Sequence, residues 1–235
     1  MEQSIPFRKA KVKWRQLLGK EPILKVDIDL DTVNYSDWDV VPTLLKENDI
    51  VYSFGICDDI GFELDIYPKK INIFAFDPTP YSVEWISKQE LPPRFHFYPW
   101  AASATDGDFF LYPRVTKKGE KSTVMYTFHK EASAGEDAVK VQALSLQSIA
   151  EKLGHQEINI LKMDIEGAEY EVVDSLLESS FRPRMLLIEF HHRFKGIGQE
   201  KTANTVNQLR KAGYLIASVS ITNREVCFVH KTAVV

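Results

Sequence analysis

An α/β fold with a mostly parallel sheet follows from three features of the 235-residue sequence. Four runs are rich in apolar and β-branched residues, as strands buried on both faces are: 49–56 (DIVYSFGI), 71–76 (INIFAF), 159–163 (NILKM) and 184–190 (RMLLIEF). Between them, apolar residues recur at helical spacing. Acids stand where these runs give way to turns: Asp77, Asp164 and Glu189. In an open α/β sheet the rim at the carboxyl ends of the strands is where ligands bind. Two further apolar runs at the C-terminus, 214–220 and 225–230 around Thr222-Asn223, read as a hairpin that gives the sheet an antiparallel finish.

Composition sets the frame. At 44% apolar and 26% charged, the chain can bury the core of a soluble domain. A net charge of −4 gives no electrostatic reason for nucleic acid as a partner. No apolar run approaches the ~20 residues needed to span a bilayer, so no membrane partner is expected. Basic residues near the start lack an apolar signal core, and a cytoplasmic protein is expected. Cys57 and Cys227 are far apart in apolar surroundings, which suits a reducing compartment better than a disulfide. The expected organisation is an N-terminal extension over 1–40 and one α/β domain over 41–235, and the composition is compatible with a homodimer.

The extension carries a basic cluster, Arg8, Lys9, Lys11, Lys13 and Arg15, and reads as a solvated arm because acids follow closely. Residues 38–46, with Val41, Leu44 and Leu45 apolar and Pro42 near the start, predict a short helix. Strand 49–56 ends at Gly55, and a helix is expected over 60–67. Strand 71–76 follows and ends in Asp77-Pro78. A glycine turn followed about 20 residues later by an acid is the spacing of nucleoside-binding folds, in which the carboxylate meets the ribose hydroxyls. The alternative for Asp77 is a cap on helix 79–89. Strand 95–100 leads into Ala101-Ala102-Ser103, small residues that would admit a flat purine beside Trp100; core packing is the other use of that tryptophan. Residues 108–112 read as a strand, 117–138 as a loop or flap, 139–143 as a strand and 144–153 as a helix stopped by Gly154.

The central stretch, 159–171, runs strand, acidic turn, helix. Asp164 and Glu166 flank Ile165 before Gly167, and from Ala168 the period turns helical through Val172, Val173 and Leu176. The two acids are positioned for chemistry, or Asp164 caps the helix while Glu166 and Glu169 favour its positive end. Strand 184–190 ends in Glu189-Phe190-His191-His192-Arg193. Adjacent residues point to opposite faces of a strand, so one of His191 and His192 belongs to the rim and not both. An acid with a histidine there suits a base; a metal is not expected.

The words VYSFGICDDIGFE, FAFDPTP, PWAAS, LKMDIEGAEYEVVDSLL and LLIEFHHR resemble the successive motifs of the FkbM-type methyltransferase family. The resemblance implies a Rossmann-like class I fold with strand order 3-2-1-4-5-7-6 and helices on both faces. It also implies S-adenosylmethionine as cofactor and methyl transfer, typically to oxygen, on a sugar or other small-molecule or glycan acceptor. Carried over by position, Gly55 lies under the methionine part of the cofactor, Asp77 with Pro78 at the ribose, Trp100 and Ala101 at the adenine, and Asp164 beside the methionyl amine and acceptor. Cys57 and Asp59 stand where glycines are common in related folds; Asp59 would then serve through its backbone amide. Phe62, Trp100 and Phe190 are aromatic neighbours for a sulfonium. Asp164, Glu166, Glu189 and His191 are the catalytic candidates, with Glu166 expected to shape the turn or bind acceptor hydroxyls. The competing functions are a nicotinamide-dependent oxidoreductase, disfavoured because no G-x-G-x-x-G follows the first strand, and a Rossmann-like binding protein without catalysis.

Overall fold

The computed structural model describes residues 4–115, 121–127 and 138–234. Helix α1 (Ile5–Leu17) comes first, then a small antiparallel hairpin of β1 (Val33–Tyr35) and β2 (Trp38–Val40) and a 3-10 turn (Pro42–Leu44). Alternation then begins with β3 (Ile50–Phe54), α2 (Gly61–Ile66), β4 (Asn72–Phe76), α3 (Pro80–Ile86) and β5 (Phe95–Tyr98). Strands β6 (Trp100–Ala102), β7 (Gly107–Val115), β8 (Lys121–Thr127) and β9 (Val139–Leu144) build a second sheet. The main sheet resumes through α4 (Leu146–Leu153), β10 (Ile160–Met163), α5 (Glu169–Glu178), β11 (Met185–Glu189), α6 (Gly198–Lys211), β12 (Tyr214–Val219) and β13 (Glu225–His230).

Seven strands lie in the order β12-β13-β11-β10-β3-β4-β5. The five from β11 to β5 are parallel, and the β12–β13 hairpin closes one edge antiparallel. Counted along the chain within this sheet, that is the class I order 3-2-1-4-5-7-6. The order reverses between β3 and β10, so the crevice for a ligand opens where those two strands end.

Alternation of side chains sorts the core into two faces. Tyr52, Phe54, Leu161, Met163, Leu186 and Ile188 pack under α4, α5 and α6. Val51, Ile160, Met185 and Leu187 pack under α2, α3 and the segment Trp38 to Leu45. Lys162, alternating with Leu161 and Met163, points to the second face; its Nζ lies 3.7 Å from Glu63 and over the rings of Trp38 and Phe62.

Two sequence expectations give way. Residues 38–46 form a strand and a single 3-10 turn rather than a helix: Trp38 and Val40 alternate into the core, and Leu44 and Leu45 reach the same pocket without helical winding. Within the expected 117–138 flap, Lys121–Thr127 is a strand paired antiparallel with β7; residues 117–120 and 128–137 lie outside the described part. Strand 95–100 is divided by Pro99, which has no N–H for a ladder, and the break passes the chain from the main sheet to the second one.

The N-terminal segment is pinned to the rim by one acid. Glu21 is 2% exposed and receives His192 Nε2 at 2.6 Å, Arg193 Nη2 at 2.7 Å and Arg15 Nε at 2.6 Å. Burial would raise its pKa, but these three partners outweigh it and hold the carboxyl at about 2. Glu21→Gln is expected to cost about 3 kcal/mol at pH 7, because it strands a buried imidazole and two guanidinium groups. A folded-state pKa below the unfolded one stabilises above the unfolded value of about 4.5. The gap between wild type and variant in urea denaturation therefore shrinks as pH falls from about 4.5 towards about 2.

Candidate active site

Gly55 follows β3 and has φ +80°, a conformation open to glycine and strained for other residues. Its amide donates to Phe76 O at 2.9 Å, and the Asp164 amide donates to Phe54 O at 3.0 Å, so the ends of β4, β3 and β10 are tied edge to edge. A Cβ on Gly55 would lie 2.8 Å from the carbonyl carbon of Asp164 and closer still to its oxygen. Cys57 also has positive φ, +47°, in agreement with its standing at a position where glycine is common. Burial and the neighbouring Asp58 push its thiol up to about 12, which keeps it protonated.

Asp77, 5% exposed, binds the loop to β4: Oδ2 accepts Cys57 N–H at 3.0 Å, and Oδ1 accepts the amide and hydroxyl of Thr79 at 2.9 and 2.7 Å. The cap of α3 is Thr79, whose Oγ1 accepts the Ser82 amide, not Asp77. Asp164 does not cap α5 either, since that helix starts at Glu169 behind Ala168.

Two cavities meet at this rim. A narrow one of about 110 Å³ is lined by Gly55, Cys57, Phe76, Asp77, Pro78, Trp100, Ala101, Asp164 and Glu166, with Leu111 and Tyr126 brought over it by the second sheet. Phe54, Phe76, Tyr98 and Trp100 stack in sequence beneath it, with Trp100 only partly buried. Trp100 thus packs on the core and faces the cavity at once. The other cavity, about 580 Å³, is the more polar of the two; Gly55, Cys57 and Asp164 line both, and Asp59, Phe62, Lys162, Glu189 and Arg224 line this one.

Four carboxylates converge on one imidazole. Nε2 of His191 lies 3.6 Å from Asp164, 3.5 Å from Glu166 and 3.8 Å from Glu189, while Nδ1 lies 3.3 Å from Glu169. Glu169 is fully buried and also receives the backbone N–H of His191 and of Gly167, at 2.8 and 2.9 Å. Arg114 pairs with Glu166 at 2.7 Å, and Arg224 with Glu189. Burial alone would lower the His191 pKa; the hydrogen bond and charge of Glu169, with Asp164 and Glu166, carry it instead to about 9. Burial, then Asp164, pushes Glu189 upward against the pull of Arg224, and burial raises Glu166. Asp164, Glu189 and His191 offer ligand atoms within 4.8 Å of one another, a spacing a metal ion could bridge, though Glu189 already faces Arg224.

The sequence profile of the Methyltransferase FkbM domain matches residues 39–216, about three quarters of the chain. The chain belongs to the FkbM methyltransferase family. It is 24% identical over 159 residues to the hexuronic acid methyltransferase AglP of Haloferax volcanii, a match covering 65% of this chain and 62% of that protein. The chain thus spans about three fifths of this relative. Among solved structures, a Methyltransferase FkbM from Methylobacillus flagellatus superposes with a TM-score of 0.48 at 11% identity, over 77% of this chain and 43% of the other. The fibrillarin pre-rRNA processing protein of Methanococcus jannaschii gives 0.44 at 12% identity, over 90% and 87%.

In this member of the FkbM family the sequence-predicted positions fall into distinct places. Gly55, Cys57, Asp77, Pro78, Trp100, Ala101, Asp164 and Glu166 surround the narrow cavity; Asp59, Phe62 and Glu189 lie on the larger one. His191 joins the carboxylates, and His192 turns away to Glu21. Two expectations are corrected. The Asp59 amide is spent on Ile56 O at 2.9 Å, so it has no donor to offer a cofactor; its carboxylate holds the Gly61 amide instead. Phe190 is fully buried between Tyr170 and Phe228 and lines neither cavity. Three participants went unseen: Arg114 and Arg224 have no local signature, and Glu169 sits inside the MDIEGAE word but reads there as a helix-start acid.

Proposed function

We propose that this methyltransferase uses S-adenosylmethionine to methylate a hydroxyl oxygen of a sugar or small metabolite. The observation that carries the reading is the meeting of Gly55, Asp77 and Asp164 around one cavity at the switch point of the sheet. The residues fit the cofactor. The slot between Trp100, Ala101 and Leu111 suits a purine, and Asp77 Oδ2, which accepts the Cys57 amide, has acceptor capacity left for a ribose hydroxyl. Gly55 leaves the backbone bare where the methionine part would run. Held there, S-adenosylmethionine supplies an electrophilic methyl carbon on a sulfonium centre. The polar cavity, with AglP acting on a hexuronic acid as the sugar precedent, supports a hydroxylated acceptor.

The chain's own part is to place the acceptor and take its proton. Asp164, its side chain 35% exposed and common to both cavities, accepts the acceptor hydroxyl's hydrogen bond. His191, which lines neither cavity, takes that proton from Asp164 at Nε2, 3.6 Å away, with Nδ1–H fixed on Glu169. At neutral pH a group held at about 9 is protonated and idle as a base. The expected profile is a kcat/KM that climbs with pH through about 9. Glu169→Gln, which removes a carboxylate that lifts this pKa, should move the limb to lower pH, and His191→Gln should erase it. A profile identical in all three proteins would exclude His191 as the base.

The cofactor is tested by thermal melting. S-adenosylhomocysteine is expected to raise the melting temperature and NAD to leave it unchanged. Calorimetry showing no heat with either S-adenosylmethionine or S-adenosylhomocysteine would defeat the reading in favour of a non-catalytic binding protein.

A further inference from the structure

Helix α1 presents the unexpected side to solvent. Wound at helical spacing, Phe7, Ala10, Trp14, Leu17 and the adjoining Leu18 fall on one side, and Arg8, Val12, Arg15 and Gln16 on the opposite one. The second, mostly polar side faces the protein. Arg15 binds Glu21 and the Lys20 carbonyl, the Gln16 amide donates to Pro22 O at 3.1 Å, and Arg8 lines the larger cavity. The apolar side is left outward, with Phe7 55%, Trp14 61% and Leu17 86% exposed, and no residue of α1 is buried.

Charge narrows what could cover this side. Ile5–Leu17 holds five cations (Arg8, Lys9, Lys11, Lys13, Arg15) and no acid, in a chain of net charge −4. Lys11 borders the apolar stripe on one edge and Lys13 on the other. A second copy of this chain would set two like-charged helices against each other. A basic helix with Trp, Phe and Leu on its apolar side suits a bilayer interface, where apolar side chains sink to the acyl boundary and lysines reach the phosphates. At 13 residues it is about 20 Å long, too short for the ~30 Å hydrocarbon core, so it would lie on the surface. Among the described residues no helix is long and apolar enough to cross a membrane, and an interfacial helix needs no such span.

We infer that α1 docks this protein on an anionic lipid surface, with Phe7, Trp14, Leu17 and Leu18 seated at the headgroup boundary and Lys9, Lys11 and Lys13 on lipid phosphates. Arg8, on the opposite side of the same helix, lines the cavity that Asp164 also lines, so the docked helix would hold the polar cleft about 10 Å, one helix diameter, from the lipid surface.

Co-sedimentation of the whole chain with vesicles tests this. It should pellet with vesicles of phosphatidylcholine and phosphatidylglycerol in equal parts, stay in the supernatant with phosphatidylcholine alone, and be released by high salt. K9Q/K11Q/K13Q should weaken partitioning roughly 100-fold, from about fivefold per lysine. W14S/L17S, which alters only exposed side chains, should abolish pelleting and leave the circular dichroism spectrum unchanged. Wild-type protein that remains in the supernatant with the mixed vesicles, or a W14S/L17S variant that pellets like wild type, overturns the inference. So does light scattering that shows a wild-type dimer broken by W14S/L17S, which would make this face an interface between copies.

Discussion

Asp164→Ala is expected to lower turnover by about 10²–10⁴-fold while leaving the fold in place. The loss follows from position. Asp164 is the one carboxylate of the cluster that lines both cavities and keeps a third of its side chain accessible, whereas Glu169 is sealed and Glu189 is engaged by Arg224. The fold survives because what ties β10 to β3 is the Asp164 amide on Phe54 O, a backbone bond that alanine retains. Release of S-adenosylhomocysteine with an acceptor drawn from a sugar panel measures the first part, and the melting temperature the second. Full activity in a variant of unchanged stability would remove Asp164 from the mechanism. A collapse of the melting temperature would mean that its side chain is structural.

Much of this geometry was legible because the sheet's strands have one physical cause. Strands buried on both faces cannot tolerate polar runs, so IVYSF, NIFAF and MLLIE declare themselves, whereas their order in the sheet was implied by the family resemblance alone. That His191 and His192 would part was legible from the two-residue period; which of them meets the carboxylates and which meets Glu21 was not. The failures have causes too. Val41, Leu44 and Leu45 fit a helix and a 3-10 turn equally well over so few residues. Strand β8 is polar, and its pairing with β7 is a tertiary fact. Glu21 reads as one more surface acid, since two of its three side-chain partners, His192 and Arg193, are more than 170 residues away. Glu169 is the instructive case. Its place at the first turn of α5 satisfies the helix dipole, and that sufficient local reason hid a second role, holding His191 by ring and backbone together.

Gly55→Ala should be a severely damaging single methyl. Two costs coincide there. A residue with a side chain at φ +80° is strained by about 1–3 kcal/mol. The added carbon would also meet the Asp164 backbone, which cannot swing aside as a flexible side chain would, at a further ~1–3 kcal/mol of overpacking. Relief demands that β3 and β10 part at their carboxyl ends, the place where the Gly55–Phe76 and Asp164–Phe54 hydrogen bonds hold the rim together. Denaturant titration should therefore show a loss of about 2–6 kcal/mol. Calorimetry on whatever folded protein remains should show S-adenosylhomocysteine binding lost. Cys57, at φ +47° two residues on, supplies the control: Cys57→Gly relieves backbone strain and should leave stability within about 1 kcal/mol of wild type. If Gly55→Ala melts with wild type and binds as well, the close approach of the two strand ends is not what shapes the cleft, and the assignment of this rim to the cofactor fails with it.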